Sequence, residues 1–376
     1  MVEIDTTPRW VDSYEQLAAL CAQWRQQRAV ALDTEFMRSR TFYPQPALVQ
    51  VGDGKHCYLI DNLAIEELQP LRDLLLDTAV TKIMHSCSED LETLERLLGV
   101  IPEPIFDTQI AVAISGMGAG LGYAATVRTL LNIELPKSET RSDWLQRPLS
   151  EAQKTYAALD VAWLPVLYGA LLKRLQDHGR ETWLEEDCAA LVASARNPQP
   201  PELYYLKVKG AWRLRGKHLA VLQDLCTWRE SEARAQDMPR NHLLKEAVCM
   251  SLAQQLPRSK SALSQAGFEG RVLREYGDTL LQMISAAVER SDAPARLPQP
   301  LNRQQGELLK LLRQEVANIA ARENLPAEIL IRKKELETLV QAHEPQLQGR
   351  LCGWRAEVVG QPLLNALRQL RNEEVK

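Results

Sequence analysis

The 376-residue sequence predicts an α/β domain, a mixed sheet flanked by helices, followed by two small all-α domains. Three observations carry this. Short apolar and β-branched runs crowd the first ninety residues and then give way to helical periodicity. Two proline-rich stretches, "RNPQPPEL" (196–203) and "SDAPARLPQP" (291–300), lack periodic apolar residues and read as linkers. Beyond each linker the pattern is helical throughout. The expected domains are therefore 1–195, 204–290 and 301–376.

In the first block "RAVALDT", "ALVQVGD" and "HCYLID" read as three consecutive antiparallel strands, with "GDGK" as a tight turn. Leu68, Leu71, Leu74 and Leu75 mark a helix, "VTKIMH" a fourth strand, and Leu91, Leu94, Leu97 and Leu98 the apolar stripe of the next helix. From about residue 107 onward the pattern is mostly helical. "EAQKTYAALDVAWLPVLYGALLKRL" reads as one long helix, with Leu159, Trp163, Val166, Leu167 and Ala170 along one stripe. Residues 225–239 and 312–326 ("LCTWRESEARAQDMP", "LRQEVANIAARENLP") resemble each other and suggest one helical unit used twice.

Composition excludes several classes. Hydrophobic content of 45% and charged content of 25% fit a soluble globular chain. No run approaches 18 uninterrupted apolar residues, which argues against a membrane span, and "MVEIDTTPRW" lacks the features of a secretory signal. Seven scattered cysteines without a C-x-x-C point to neither zinc nor a disulfide framework, and they fit a reducing cytoplasm. A net charge of −4 gives no global basic signal, but it leaves room for separate acidic and basic patches.

The acids are more informative. Asp33 and Glu35 stand one residue apart where an apolar strand ends, so alternation puts both on one face. Two carboxylates on one face repel and lose hydration unless a cation sits between them. Ser86 and Glu89 have capping-box spacing, and Asp90 follows at the start of the apolar stripe. Asp107, directly before a helix, reads as an N-cap. Tyr156 and Asp160 are four apart on one helical face, where an aspartate is unfavourable unless something pairs with it.

Taken together, "LDTEFMRSRTFYPQPALVQV", "KIMHSCSEDLETL" and "GLGYAATVRTLLNIELPKSETRSDWLQRPLSEAQKTYAALDVAWL" resemble the DEDD exonuclease superfamily, tyrosine subgroup, and within it the ribonuclease D family. The resemblance covers nearly the whole chain and is less firm in the third block. It implies a ribonuclease H-like nuclease fold followed by two HRDC-like helical domains. It also implies hydrolysis of RNA from its 3′ end to nucleoside 5′-monophosphates, with trimming of transfer RNA precursors. Rival readings are a DNA-directed exonuclease of the same superfamily, a non-catalytic RNA-binding protein on a nuclease scaffold, and, with less support, a nucleotide-sugar transferase.

The chemistry fits those residue types. Phosphodiester hydrolysis uses two divalent cations, typically about 3.5–4 Å apart. Asp33, Glu35, Asp90 and Asp160 are the expected ligands, for magnesium or manganese, two per site. The resemblance implies that Tyr156 orients the attacking water, and an ordinary tyrosine pKa of about 10 makes it a poor base on its own. RNA is the expected partner, with no membrane and no obligate protein partner. Lys137, Arg141, Ser142 and Trp144 gather between the third and fourth acids, offering phosphate contacts and a stacking face. Phe36 and Met37 either pack on the terminal base or belong to the core. "KVKGAWRLRGKH" (207–218), with Lys207, Lys209, Arg213, Arg215, Lys217 and Trp212, is the most basic stretch and an expected RNA-backbone contact; "RKKE" (332–335) is a weaker one.

Overall fold

The computed structural model describes residues 4–136, 142–268 and 270–374. Two compact units result: residues 1–37, 45–196 and 301–376 form the first, and 38–44 with 197–300 form the second.

The first unit is built on a six-stranded sheet: β1 (Asp5–Val11), β2 (Ala29–Met37), β3 (Gln45–Gly52), β4 (His56–Ile60), β5 (Thr81–Met84) and β6 (Ile105–Asp107), in the order β1-β4-β3-β2-β5-β6. The strands β2, β3 and β4 form the expected antiparallel meander, while β1 on β4, β2 on β5 and β5 on β6 are parallel. The sheet is therefore mixed, as the sequence implied. Its interior strands read as apolar runs because both faces are covered: β3 is buried from Ala47 to Gly52. Two strands escaped the sequence reading. Pro8 argues against a strand at 5–11, yet an edge strand tolerates it, and the β1–β4 register slips between Asp5 and Pro8. At three residues, β6 is too short to show a period.

Helices pack around the sheet: α1 (Tyr14–Trp24), α2 (Gln69–Leu76), α3 (Ser88–Leu98), α4 (Thr108–Ile114), α5 (Tyr123–Leu131), α6 (Glu151–Ala162), α7 (Leu164–Asp177) and α8 (Glu181–Arg196). The long helix expected over 151–175 is two helices, broken at Trp163, with Pro165 at the start of α7. Proline lacks the N–H a continuing helix needs and clashes with the preceding turn. By length and composition alone, 151–177 is apolar enough to cross a membrane, but here its first half packs across β1 to β4.

The expected Ser86–Glu89 capping box is absent. Ser86 has φ +59°, and the N-cap Cys87 makes no side-chain cap. Asp107 does that work from outside the helix. Its carboxylate accepts the backbone N–H of Ser86 and Cys87 at 3.1 and 3.0 Å. The same carboxylate caps α4, as expected, through Gln109 N–H at 2.8 Å and Ile110 N–H at 3.3 Å.

The second unit contains α9 (Lys217–Ala235), α10 (Arg240–Leu243), α11 (Glu246–Gln255), α12 (Lys260–Gln265) and α13 (Gly270–Glu289). The third block contains α14 (Arg303–Glu323), α15 (Ala327–Leu330), α16 (Lys333–Gln341) and α17 (Gln361–Glu374). Its packing places it with the nuclease block. Trp183 and Trp354 stack at 4.4 Å, and the buried Arg355 forks onto Asp187 at 2.5 and 2.7 Å. The internal repeat has a structural counterpart. In both copies a long helix ends at a residue with positive φ (Asp237, +47°; Asn324, +51°), and a proline then precedes a four-residue helix.

One close approach fixes α6 on the sheet. A Cβ added at Gly52 would lie 2.6 Å from the Val161 carbonyl oxygen. Gly52→Ala should therefore cost about 1–3 kcal/mol in denaturant unfolding and lower activity, because Val161 adjoins Asp160. A variant of wild-type stability would show that this approach is loose.

Candidate active site

Each acid is delivered by a different piece of backbone. β2 carries Asp33 and Glu35 on one face, and a bulge between Glu35 and Phe36 ends the regular pairing with β3 just beyond them. Parallel pairing of β2 with β5 brings the loop after β5, and hence the start of α3, to the same end of the sheet. Asp90 stands in that first turn. Asp160 lies near the end of α6, which crosses the sheet face.

Asp33, Glu35 and Asp160 each place a carboxylate oxygen within 4.8 Å of the others. Asp90 is buried and lies outside that triplet, with the Thr34 hydroxyl donating to it at 2.5 Å. Thr34, the middle residue of D-T-E, was not singled out in the sequence, since alternation sends it to the opposite face and its partner lies 56 residues away. Among the described residues, no lysine or arginine forms an ion pair with any of the four acids.

Burial without counter-charge shows in the electrostatics. Burial raises Asp33 well above the usual carboxylate range, helped by Asp90, Asp160 and Glu35. Glu35 is pushed up to about 9 by burial, then by Asp160 and Asp90. Burial lifts Asp160 to about 7, against the lowering influence of Tyr156, and Asp90 to about 6, against the hydrogen bond that Thr34 gives it. This is the behaviour of like charges gathered away from water. Oxygen-only donors crowded this closely fit a hard divalent cation.

Several neighbours hold the acids in place. The Tyr123 hydroxyl donates to Leu159 O at 2.9 Å and accepts the Trp163 N–H at 3.2 Å, pinning the last turn of α6. His85 packs edge-on against Tyr123 at 5.7 Å, with its ring nitrogens 2.8 Å from Thr108 Oγ1 and 3.1 Å from Leu121 O. The other end of α6 starts with a Ser150–Gln153 capping box. Just before it, Arg147 forks onto Asp61 at 3.0 and 2.7 Å and donates to Trp144 O and Ala47 O. Neither Tyr123 nor Arg147 carried a sequence signal, because their partners are distant in the chain.

Burial, then the nearby Asp160, pushes the Tyr156 hydroxyl far above the usual tyrosine value. Trp144 corrects an expectation. It is only 3% exposed, and its ring packs 6.0 Å from that of Tyr156, so it supports the tyrosine and offers no face to a base. Phe36 and Met37 are half-buried at the end of β2, and Met37 packs on the nuclease core. Lys137 and Arg141 lie outside the described residues. Lys207, Lys209 and Lys217 are exposed in the second unit, the first with its ammonium 4.8 Å from the Tyr204 ring centroid.

Comparison with known proteins agrees with this geometry. A family described as 3′-5′ exonuclease matches residues 8–176, and the HRDC domain matches 218–284. Ribonuclease D of Pseudomonas paraeruginosa is 46% identical over 366 residues, covering 96% of this chain and 97% of the relative. The chain belongs to the ribonuclease D family. Ribonuclease D of Escherichia coli is 34% identical, with 94% and 97% coverage. The crystal structure of Escherichia coli RNase D, described as an exoribonuclease involved in structured RNA processing, superimposes with a TM-score of 0.87 at 33% identity, covering 96% of this chain and 98% of that one. The family assignment makes this chain a metal-dependent 3′-5′ exoribonuclease with a ribonuclease D-type nuclease domain and a helical HRDC domain.

The raised carboxylates fix a sign. With no metal bound, the folded chain holds more protons than the unfolded chain between about pH 4, where free carboxylates titrate, and the folded values of about 6, 7 and 9 for Asp90, Asp160 and Glu35. Stability of chelator-treated protein should then fall as pH rises through that window, and added manganese should flatten the slope. Unfolding temperatures measured from pH 5 to 9 test this; a metal-free curve that rises or stays level would contradict it.

Proposed function

We propose that the chain removes nucleotides from RNA 3′ ends as nucleoside 5′-monophosphates, with two magnesium or manganese ions held by Asp33, Glu35, Asp90 and Asp160. The observation that carries this reading is the convergence of three carboxylates within 4.8 Å, with a fourth beside them. When bound, such ions neutralise charge on the phosphate oxygens and make a water acidic enough to attack.

The chain's own groups do the rest. Tyr156 keeps its proton at neutral pH, so it orients the attacking water and does not abstract from it. The buried Trp144 ring packed against it, and Asp160 one helical turn on, limit where that hydroxyl can point. Phe36 and Met37, adjoining the acids in sequence, are placed to meet the terminal base. Lys207, Lys209 and Lys217 supply an exposed basic surface for the RNA backbone, with Lys137 and Arg141 assigned the same role on sequence alone.

Transfer RNA precursors with extended 3′ ends are the proposed substrates, in keeping with the description of the Escherichia coli relative as acting on structured RNA. Seven free cysteines, six of them buried, suit the cytoplasm, where thiols stay reduced. No protein partner is needed for this reaction.

Digestion of a 3′-extended transfer RNA with and without magnesium or manganese tests the proposal. Wild type should shorten it to monophosphates only with metal, and Tyr156→Phe should bind RNA but lose at least about 10²-fold in turnover. Replacing Lys207, Lys209 and Lys217 with glutamate should weaken binding. It should also flatten the logarithmic salt dependence by about 0.7 for each RNA phosphate no longer neutralised. Metal-independent trimming, undiminished turnover or an unaltered salt slope would each sink the corresponding part.

A further inference from the structure

Gln50 stands directly across from Asp33 in the antiparallel β2–β3 register. Opposed residues leave the sheet on the same face. On β3 that face lies under α6, as the approach of Gly52 to the Val161 carbonyl shows. Gln50 is fully buried, and neither its amide nitrogen nor its amide oxygen has a hydrogen-bond partner. Buried amides are almost always paired, because an unpaired one loses its hydration and gains nothing in return. A glutamine serving only as filler would be replaceable by methionine or leucine at lower cost. Its two N–H donors and one acceptor instead stand ready beside the carboxylate cluster.

The geometry points to Gln50 as a positioning residue for the nuclease centre: its amide nitrogen donates to the Asp33 carboxylate once divalent cations bind there, fixing the angle at which that carboxylate meets them. Carboxylates that ligate metal need their remaining lone pairs satisfied, and the groups that do so tune both affinity and orientation. The amide oxygen is left to accept from a water or a substrate hydroxyl drawn into the loaded site. Among the acids, Asp33 is the one with such a neighbour across the ladder; Glu35 faces Leu48 at the corresponding position. The inference rests on the two-cation reading of the site.

Gln50→Met tests it, since methionine keeps the length and volume and removes only the amide. Metal-free wild type and variant are each titrated with manganese by calorimetry, and their unfolding temperatures are recorded before and after loading. Manganese affinity should fall about 10–100-fold in the variant. The metal-free unfolding temperature should stay level or rise, because an unpaired amide has been removed. Unchanged manganese affinity overturns the assignment. So does a metal-free variant that unfolds at lower temperature or fails to fold, because the amide would then have been bonded within the fold itself. Wild type that binds no manganese would instead refute the two-cation reading, which keeps the two failures distinct.

Discussion

Mutual repulsion among clustered, half-buried to buried carboxylates is the constraint on which this architecture turns. Two unit charges 4 Å apart at the effective dielectric of a protein surface cost about 4 kcal/mol, and Asp33, Glu35 and Asp160 form three such pairs. A chain with only marginal stability can hold them in two ways: by keeping protons on them, or by placing cations among them. The raised proton affinities show the first state. The exclusively oxygen donor set suits the second. Passage between these states links proton release to metal uptake, and metal uptake to readiness for catalysis.

A cluster that repels itself must sit on parts that do not yield, and each acid has its own brace. The central strand β2, anchored by β5 along Ala29–Ala31 and by β3 from Ala31 onward, fixes Asp33 and Glu35. Asp107, gripping the N-termini of α3 and α4 together, fixes the turn that bears Asp90. Tyr123 at one end of α6 and the capping box at the other fix Asp160 and Tyr156, with Gly52 allowing the helix to lie close on the sheet. Arg147 anchors the strand of chain that leads into α6 through Asp61 and Ala47. Sub-ångström placement of reacting groups is worth orders of magnitude in rate, which gives this investment in rigidity a functional return.

What the sequence disclosed and what it withheld divide along one line. Features written in local periodicity were legible: the meander of β2 to β4, the leucine stripes of α2 and α3, the Asp107 cap, and the twofold use of a helical unit with Asp237 and Asn324 at matching turns. The D-x-E spacing and the Y-x-x-x-D spacing were legible for the same reason, since faces follow from period. Features decided by distant partners were not. Asp90 turns to Thr34, and Ser86 yields its expected cap to Asp107. Trp144 sinks behind Tyr156 although it follows the polar run of Ser142 and Asp143. Gln50 carried no signal in the sequence; its position shows only in the strand register and the packing around it. β1 was hidden by Pro8, and the break between α6 and α7 was overlooked although Pro165 signals it.

The most direct measurement is diffraction at the manganese absorption edge from crystals of the chain grown or soaked with that metal. The account predicts two anomalous peaks about 3.5–4 Å apart, bounded by Asp33, Glu35 and Asp160, with Asp90 drawn toward them. Absence of metal from that cluster under saturating manganese, or peaks only at unrelated surface carboxylates, would contradict it.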